Sequence, residues 1–103
     1  MKETALEVIN HYGVMPQLKY FQSEVFELNE AIIIYENEKP HCDDIADKDY
    51  IKMLKNHIAG EIGDVRFMLR QFQEFYGITD EEIDEVELFK GKRQLERIEK
   101  EGK

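Results

Sequence analysis

Two segments of this chain repeat their apolar residues at alternating intervals of three and four, a spacing that only a helix turns into one continuous face. The first seam is Leu18, Phe21, Val25, Leu28, Ile32 and Tyr35; the second is Ile58, Ile62, Val65, Leu69 and Phe72. Each seam is flanked by an acidic pair one residue earlier. Glu24 and Glu27 stand to Val25 and Leu28 as Glu61 and Asp64 stand to Ile62 and Val65. Residues three apart share a helical face, so each pair directs two carboxylates the same way beside a seam expected to be buried. Carboxylates in that position are costly unless positive charge meets them. The fold has to supply it.

The remaining segments also read as helices. Leu6, Val8 and Ile9 among good helix formers predict a short helix over residues 2–12, ended by Gly13. Pro16 suits the first turn of the next helix, which runs to about residue 37. A polar connection over 37–49, broken by Pro40, follows. Its His41, Cys42, Asp43 and Asp44 have metal-ligating chemistry, but neighbours in a loop rarely converge on one ion, and a solvated turn is preferred. The third helix spans about 49–76 and stops at Gly77. Gly60 and Gly63 lie inside it, where glycine costs roughly 1 kcal/mol relative to alanine. They imply the close approach of a facing helix or of a ligand. Thr79 with Glu82 forms a capping box for a fourth helix over about 80–100, and residues 99–103 are expected to fray. The fold class is all-α: one domain over 1–103, a four-helix bundle-like protomer whose short seams suggest packing between subunits.

Composition narrows the function. The net charge of −9 argues against binding a nucleic-acid polymer, and the one cysteine removes any intrachain disulfide. No signal-peptide pattern or membrane-length apolar run is present, so a cytoplasmic protein with no membrane partner is the expectation. The basic residues gather late. Lys90, Arg93 and Arg97 share one face of the fourth helix, as an ordinary charged surface would or as a phosphate-binding face would.

Four carboxylates from two facing helices make a hard oxygen site suited to Mg²⁺ or Mn²⁺. With a basic helix to hold a polyphosphate, the implied chemistry is metal-assisted attack of water on phosphorus. No serine triad competes, because Ser23 is the only serine. A di-iron bundle would need Glu-x-x-His on two helices; Asp64 and Glu30 stand where those histidines would be. His57, one turn before Glu61, is a core-edge histidine or a partner of the carboxylate, and the first is preferred.

The segments Glu24-Val-Phe-Glu27-Leu-Asn-Glu-Ala-Ile and Glu61-Ile-Gly-Asp64-Val resemble the ExxE…ExxD signature of MazG-like nucleotide pyrophosphohydrolases, the all-α NTP pyrophosphatase superfamily. The resemblance covers about residues 15–97 and extends to the basic last helix. It implies a helical bundle assembled as a dimer or a dimer of dimers, converting a nucleoside triphosphate to the monophosphate and pyrophosphate. By motif, Glu24, Glu27, Glu61 and Asp64 would be the catalytic Mg²⁺ ligands, with Lys90, Arg93 and Arg97 on the substrate phosphates. The connection between the motif halves is longer than in compact members, so 37–49 reads as an insertion or a lid. The chain has no tryptophan, which leaves base stacking to Tyr or Phe. The alternative is a non-catalytic acidic bundle that mediates oligomerisation or partner binding, its carboxylates merely solvated.

Overall fold

The computed structural model describes residues 1–41 and 47–102, and among them the only regular structure is helical. Helix α1 is Lys2–Tyr12, α2 Val14–Glu38, α3 Asp47–Phe75 and α4 Asp80–Glu101, with a short 3₁₀ turn at Lys39–His41. The expected polar connection is therefore narrower than 37–49. His41 belongs to the 3₁₀ turn, while Cys42, Asp43 and Asp44 lie outside the described residues. At the other end, α4 runs to Glu101 and the Gly102 N–H bonds Ile98 O, while Lys103, the last residue of the tail expected to fray, lies outside the described residues.

The helix boundaries follow from local chemistry. Gly13 separates α1 from α2 at φ 93°, a backbone angle that L side chains resist, while its N–H still closes on Ile9 O at 2.8 Å. Pro16 falls within the first turn of α2, where a missing N–H leaves no intrahelical bond unmade. Gly77 adopts φ 66°; its N–H bonds Glu74 O and that of Ile78 bonds Gln73 O, the paired closure of a Schellman stop. Two residues later the Thr79 hydroxyl accepts from the Glu82 N–H at 3.1 Å, and the Glu82 carboxylate accepts from the Thr79 N–H at 2.8 Å.

The packed unit is α1, α2 and α3. Helices α2 and α3 are antiparallel, because Gln17 meets Gln71 and Phe21 meets Phe72 while Glu24 meets Asp64. The buried line on α2 is Gln17, Phe21, Glu24, Leu28, Ala31 and Tyr35. On α3 it is Leu54, Ile58, Glu61, Val65, Met68 and Phe72. On both helices Phe21, Leu28 and Tyr35, and Ile58, Val65 and Phe72, keep their places in the expected seams, while each of the other seam residues gives way to the residue before it. Glu24 and Glu61 sit inside, whereas Leu18, Val25 and Ile32 on α2 and Ile62 and Leu69 on α3 are 39–50% exposed.

Helix α4 does not complete a bundle within the chain. It has no buried residue, and Val86, Leu88, Phe89, Leu95 and Ile98 are all more than half exposed. Its first turn is anchored by Asp80, which accepts from Gln73 Nε2 at 2.6 Å and pairs with Lys2 at 3.6 Å. Beyond that it makes only marginal contact with the other helices. The radius of gyration is 17.9 Å, against about 13 Å for a compact domain of this length.

Candidate metal centre

Three of the four expected carboxylates converge. Glu24 comes from α2, Glu61 and Asp64 from α3, and one oxygen of each lies within 4.8 Å of the others. Glu24 is 6% exposed, Glu61 half-buried and Asp64 exposed, so the group forms a wall that opens outward at Asp64. Glu27 is the departure. It is exposed and stands outside the three-oxygen group, although its charge is felt at Glu24.

The electrostatics are unfavourable as they stand. Glu24 Oε2 and Glu61 Oε2 are both buried without a hydrogen-bond partner. Burial pushes the Glu24 carboxyl above the ordinary range, and repulsion from Glu27 and Asp64 pushes it the same way. The one opposing contact is the Tyr20 hydroxyl, four residues back on α2, which donates to Glu24. That phenol is in turn raised, chiefly by the Glu24 charge beside it. Two like charges about 5 Å apart at an effective dielectric of 20 repel by roughly 3 kcal/mol. No lysine or arginine is paired with the three acids among the described contacts; the neighbour is His57, whose Nε2 lies 3.4 Å from Glu61 Oε1. His57 is more than half exposed, so it is the carboxylate's partner and not the core-edge residue expected from its stripe.

A divalent cation fits this donor set. Oxygens around one octahedral Mg²⁺ are about 3–4.2 Å apart, given bonds of 2.0–2.1 Å, so a group spread over 4.8 Å needs only slight side-chain rotation. A cation there would also bring positive charge to the two carboxylates that carry the orphaned oxygens. Gly60 and Gly63 are not explained by packing within the chain, since a Cβ at either would meet nothing within 4 Å. Of the two approaches their positions implied, a facing helix or a ligand, the first does not occur among the described residues.

Lys90, Arg93 and Arg97 are not brought to the acids. All three are on the exposed part of α4, and none lines the acidic group, the cleft beside it or the cleft between α3 and α4. Arg93 instead lies over the Phe89 ring, 5.7 Å from its centroid. The cleft beside the acids is lined from α1, α2 and α3, and its residues Tyr20, Gln17 and Gln71 were not anticipated. A signal for the glutamines was present. Gln17 precedes Glu24 by seven residues and Gln71 follows Asp64 by seven, which puts each amide two turns along the same line as an acid.

Comparison of the chain with protein-family models, with curated proteins and with solved structures finds no match. No helix among the described residues is long and apolar enough to cross a membrane.

Proposed function

We propose that the chain is a Mg²⁺-dependent nucleoside triphosphate pyrophosphohydrolase of MazG-like type, with Mn²⁺ as a substitute metal. The observation that carries this reading is that the clustered acids Glu24 and Glu61, with Asp64 beside them, each keep one buried oxygen without a hydrogen-bond partner. A fold leaves such groups unmatched where function requires them. The resemblance of both acidic segments to the ExxE…ExxD signature points to the same chemistry.

Glu24, Glu61 and Asp64 are the residues that would hold the metal, with Glu27 reaching it through water or from the substrate side. When bound, Mg²⁺ supplies charge neutralisation at the phosphates and lowers the pKa of water beside them. The reaction adds one water across the α–β phosphoanhydride bond, so that a nucleoside monophosphate and pyrophosphate leave. Within the chain, buried Glu24 and half-buried Glu61 fix the site on two helices, and exposed Asp64 faces the entering ligand. The Tyr20 hydroxyl orients Glu24, and His57 orients Glu61.

The partner in this reading is a second copy of the chain. On each long helix the acid-bearing side (Glu24 to Glu27, Glu61 to Asp64) and the exposed apolar side (Val25, Ile62) lie on opposite flanks of the buried line, by the 100° step per residue. In an antiparallel pair the apolar flanks share one edge, which is left bare. A dimer or dimer of dimers through that edge and α4 would cover it and carry Lys90, Arg93 and Arg97 towards a neighbouring site.

Pyrophosphate release from a panel of ribo- and deoxyribonucleoside triphosphates tests the activity. The expected result is equimolar pyrophosphate and monophosphate from at least one nucleotide, dependent on divalent metal. Release that persists undiminished in Glu61→Gln, or without metal, overturns the assignment.

A further inference from the structure

Past the acids, α3 carries Arg66, Leu69, Arg70 and Gln73, and α4 opens with Asp80, Ile83, Asp84 and Glu87. Both sets run at intervals i, i+3, i+4 and i+7, so each forms one stripe along its helix. The two stripes are the walls of a cleft of about 860 Å³, with Tyr76 and Ile78 lining it near the turn between the helices.

The walls are complementary in charge and in order. Gln73 Nε2 donates to Asp80 at 2.6 Å and fixes the register where the helices begin to part. Counting outward from that bond along two antiparallel helices, Arg70 and Leu69 come level with Ile83 and Asp84, and Arg66 with Glu87. Yet the pairs are not made. Among the described residues no carboxylate of α4 is ion-paired with Arg66 or Arg70. Leu69 is 50% exposed and Ile83 only half-buried.

The acids of α4 also lack a local reason. From Asp80 to Glu87 the helix carries six acids and no base. The helix dipole accounts for those in the first turn, but its effect has faded by Asp84 and Glu87. Asp80 with Asp84, and Asp84 with Glu87, repel along one face, a cost that guanidiniums opposite them would remove. The connection is short as well. Only residues 76–79 separate α3 from α4, within the roughly two to five residues that join antiparallel helices lying side by side.

We infer that α4 has a closed position besides the open one: it swings about the 76–79 turn onto α3, pairing Arg66 with Glu87 and Arg70 with Asp84 and packing Leu69 on Ile83. The closed position leaves the acidic group open, because Arg66 lies about 200° round α3 from Asp64. It covers the α3 side of the bare edge and leaves Leu18, Val25 and Ile32 of α2 uncovered. The movement therefore sets how much of that edge is free for assembly. The inference stands on the two stripes and is independent of the metal and nucleotide reading.

Pulsed electron–electron resonance on the full chain tests it, with Cys42→Ser and nitroxides on Asn56→Cys and Glu96→Cys, both at exposed positions. The labelled chain is diluted into an excess of unlabelled Cys42→Ser chain, so that only distances within one chain are read. In the closed register position 96 comes level with position 57, beside the first label. At low ionic strength the expected result is a short-distance population, matching helix axes about 8–10 Å apart, beside a longer one. Arg66→Glu with Arg70→Glu is expected to remove the short population, and adding Asp84→Arg with Glu87→Arg to restore it. Should the α3 variant fail to fold, Asp84→Lys with Glu87→Lys, on a helix with no buried residue, is expected to remove it too. A long distance alone in every chain overturns the inference. So does a short population that survives the charge reversals, or one that appears only without dilution, which would place a second copy's helix in the cleft.

Discussion

At the scale of single residues, the protein turns on one buried carboxylate. Glu24 was legible as a candidate because it recurs in phase with Glu61 and Asp64 against their seams. Its depth was not legible, because the apolar residues beside it gave a stronger pattern than the buried line, which includes Gln17, Glu24 and Glu61. Glu27 shows the limit of a three-residue motif: sharing a face with Glu24 did not put it in the same cluster. The raised pKa of Glu24 has a defined sign. An acid whose folded pKa lies above its unfolded value adds stability below the unfolded value and loses it as pH rises through the folded one. In metal-free protein, Glu24→Gln should therefore melt like wild type at pH 4 and progressively higher than wild type towards neutrality. Melting curves at several pH values check this; a difference that shrinks as pH rises contradicts it.

At the scale of helices, starts and stops were the most readable part of the chain. Gly13, Gly77 and the Thr79–Glu82 box each specify a local geometry with its own hydrogen bonds, and the structure shows all three. Thr79→Ala removes one arm of the box and should cost about 1 kcal/mol. The loss should appear as faster amide exchange in the first turn of α4, with α1–α3 unaffected; slowed or unchanged exchange there would show that the box does not hold the helix. Asp80 works with the opposite sign from Glu24. Its hydrogen bond from Gln73, and then Lys2, lower its pKa, so its contribution is present above the unfolded value and fades as pH falls through the lowered one. The rotation of the seams was less readable. Periodicity locates an apolar stripe but not what covers it, and two stripes seven residues in repeat lie adjacent on both long helices. One is buried by the antiparallel partner and by α1. The other, through Leu18, Val25, Ile32, Ile62 and Leu69, stays 39–50% exposed.

At the scale of the whole molecule, the all-helical class was fixed by the absence of any strand-like alternation, but the position of α4 was not. Nothing in a helix's own sequence says whether its apolar residues meet their own chain or a neighbour's. The extended shape and the bare edge lead to an expected mass in solution of two or four chains, measured by light scattering. The paired substitutions Ile62→Asp and Leu69→Asp should shift it to one; a wild-type monomer at micromolar concentration would contradict the assembly. The central claim is that Glu24, Glu61 and Asp64 together bind a divalent ion that receives a nucleotide's phosphates. Thermal melting with Mn²⁺ and a non-hydrolysable nucleoside triphosphate tests it most directly. At a ligand concentration about 100 times the dissociation constant, the wild-type protein should gain about 2.7 kcal/mol, and Glu61→Gln should gain little of it. An unchanged melting temperature in wild type across all nucleotides and both metals, or an equal gain in the variant, would contradict the account.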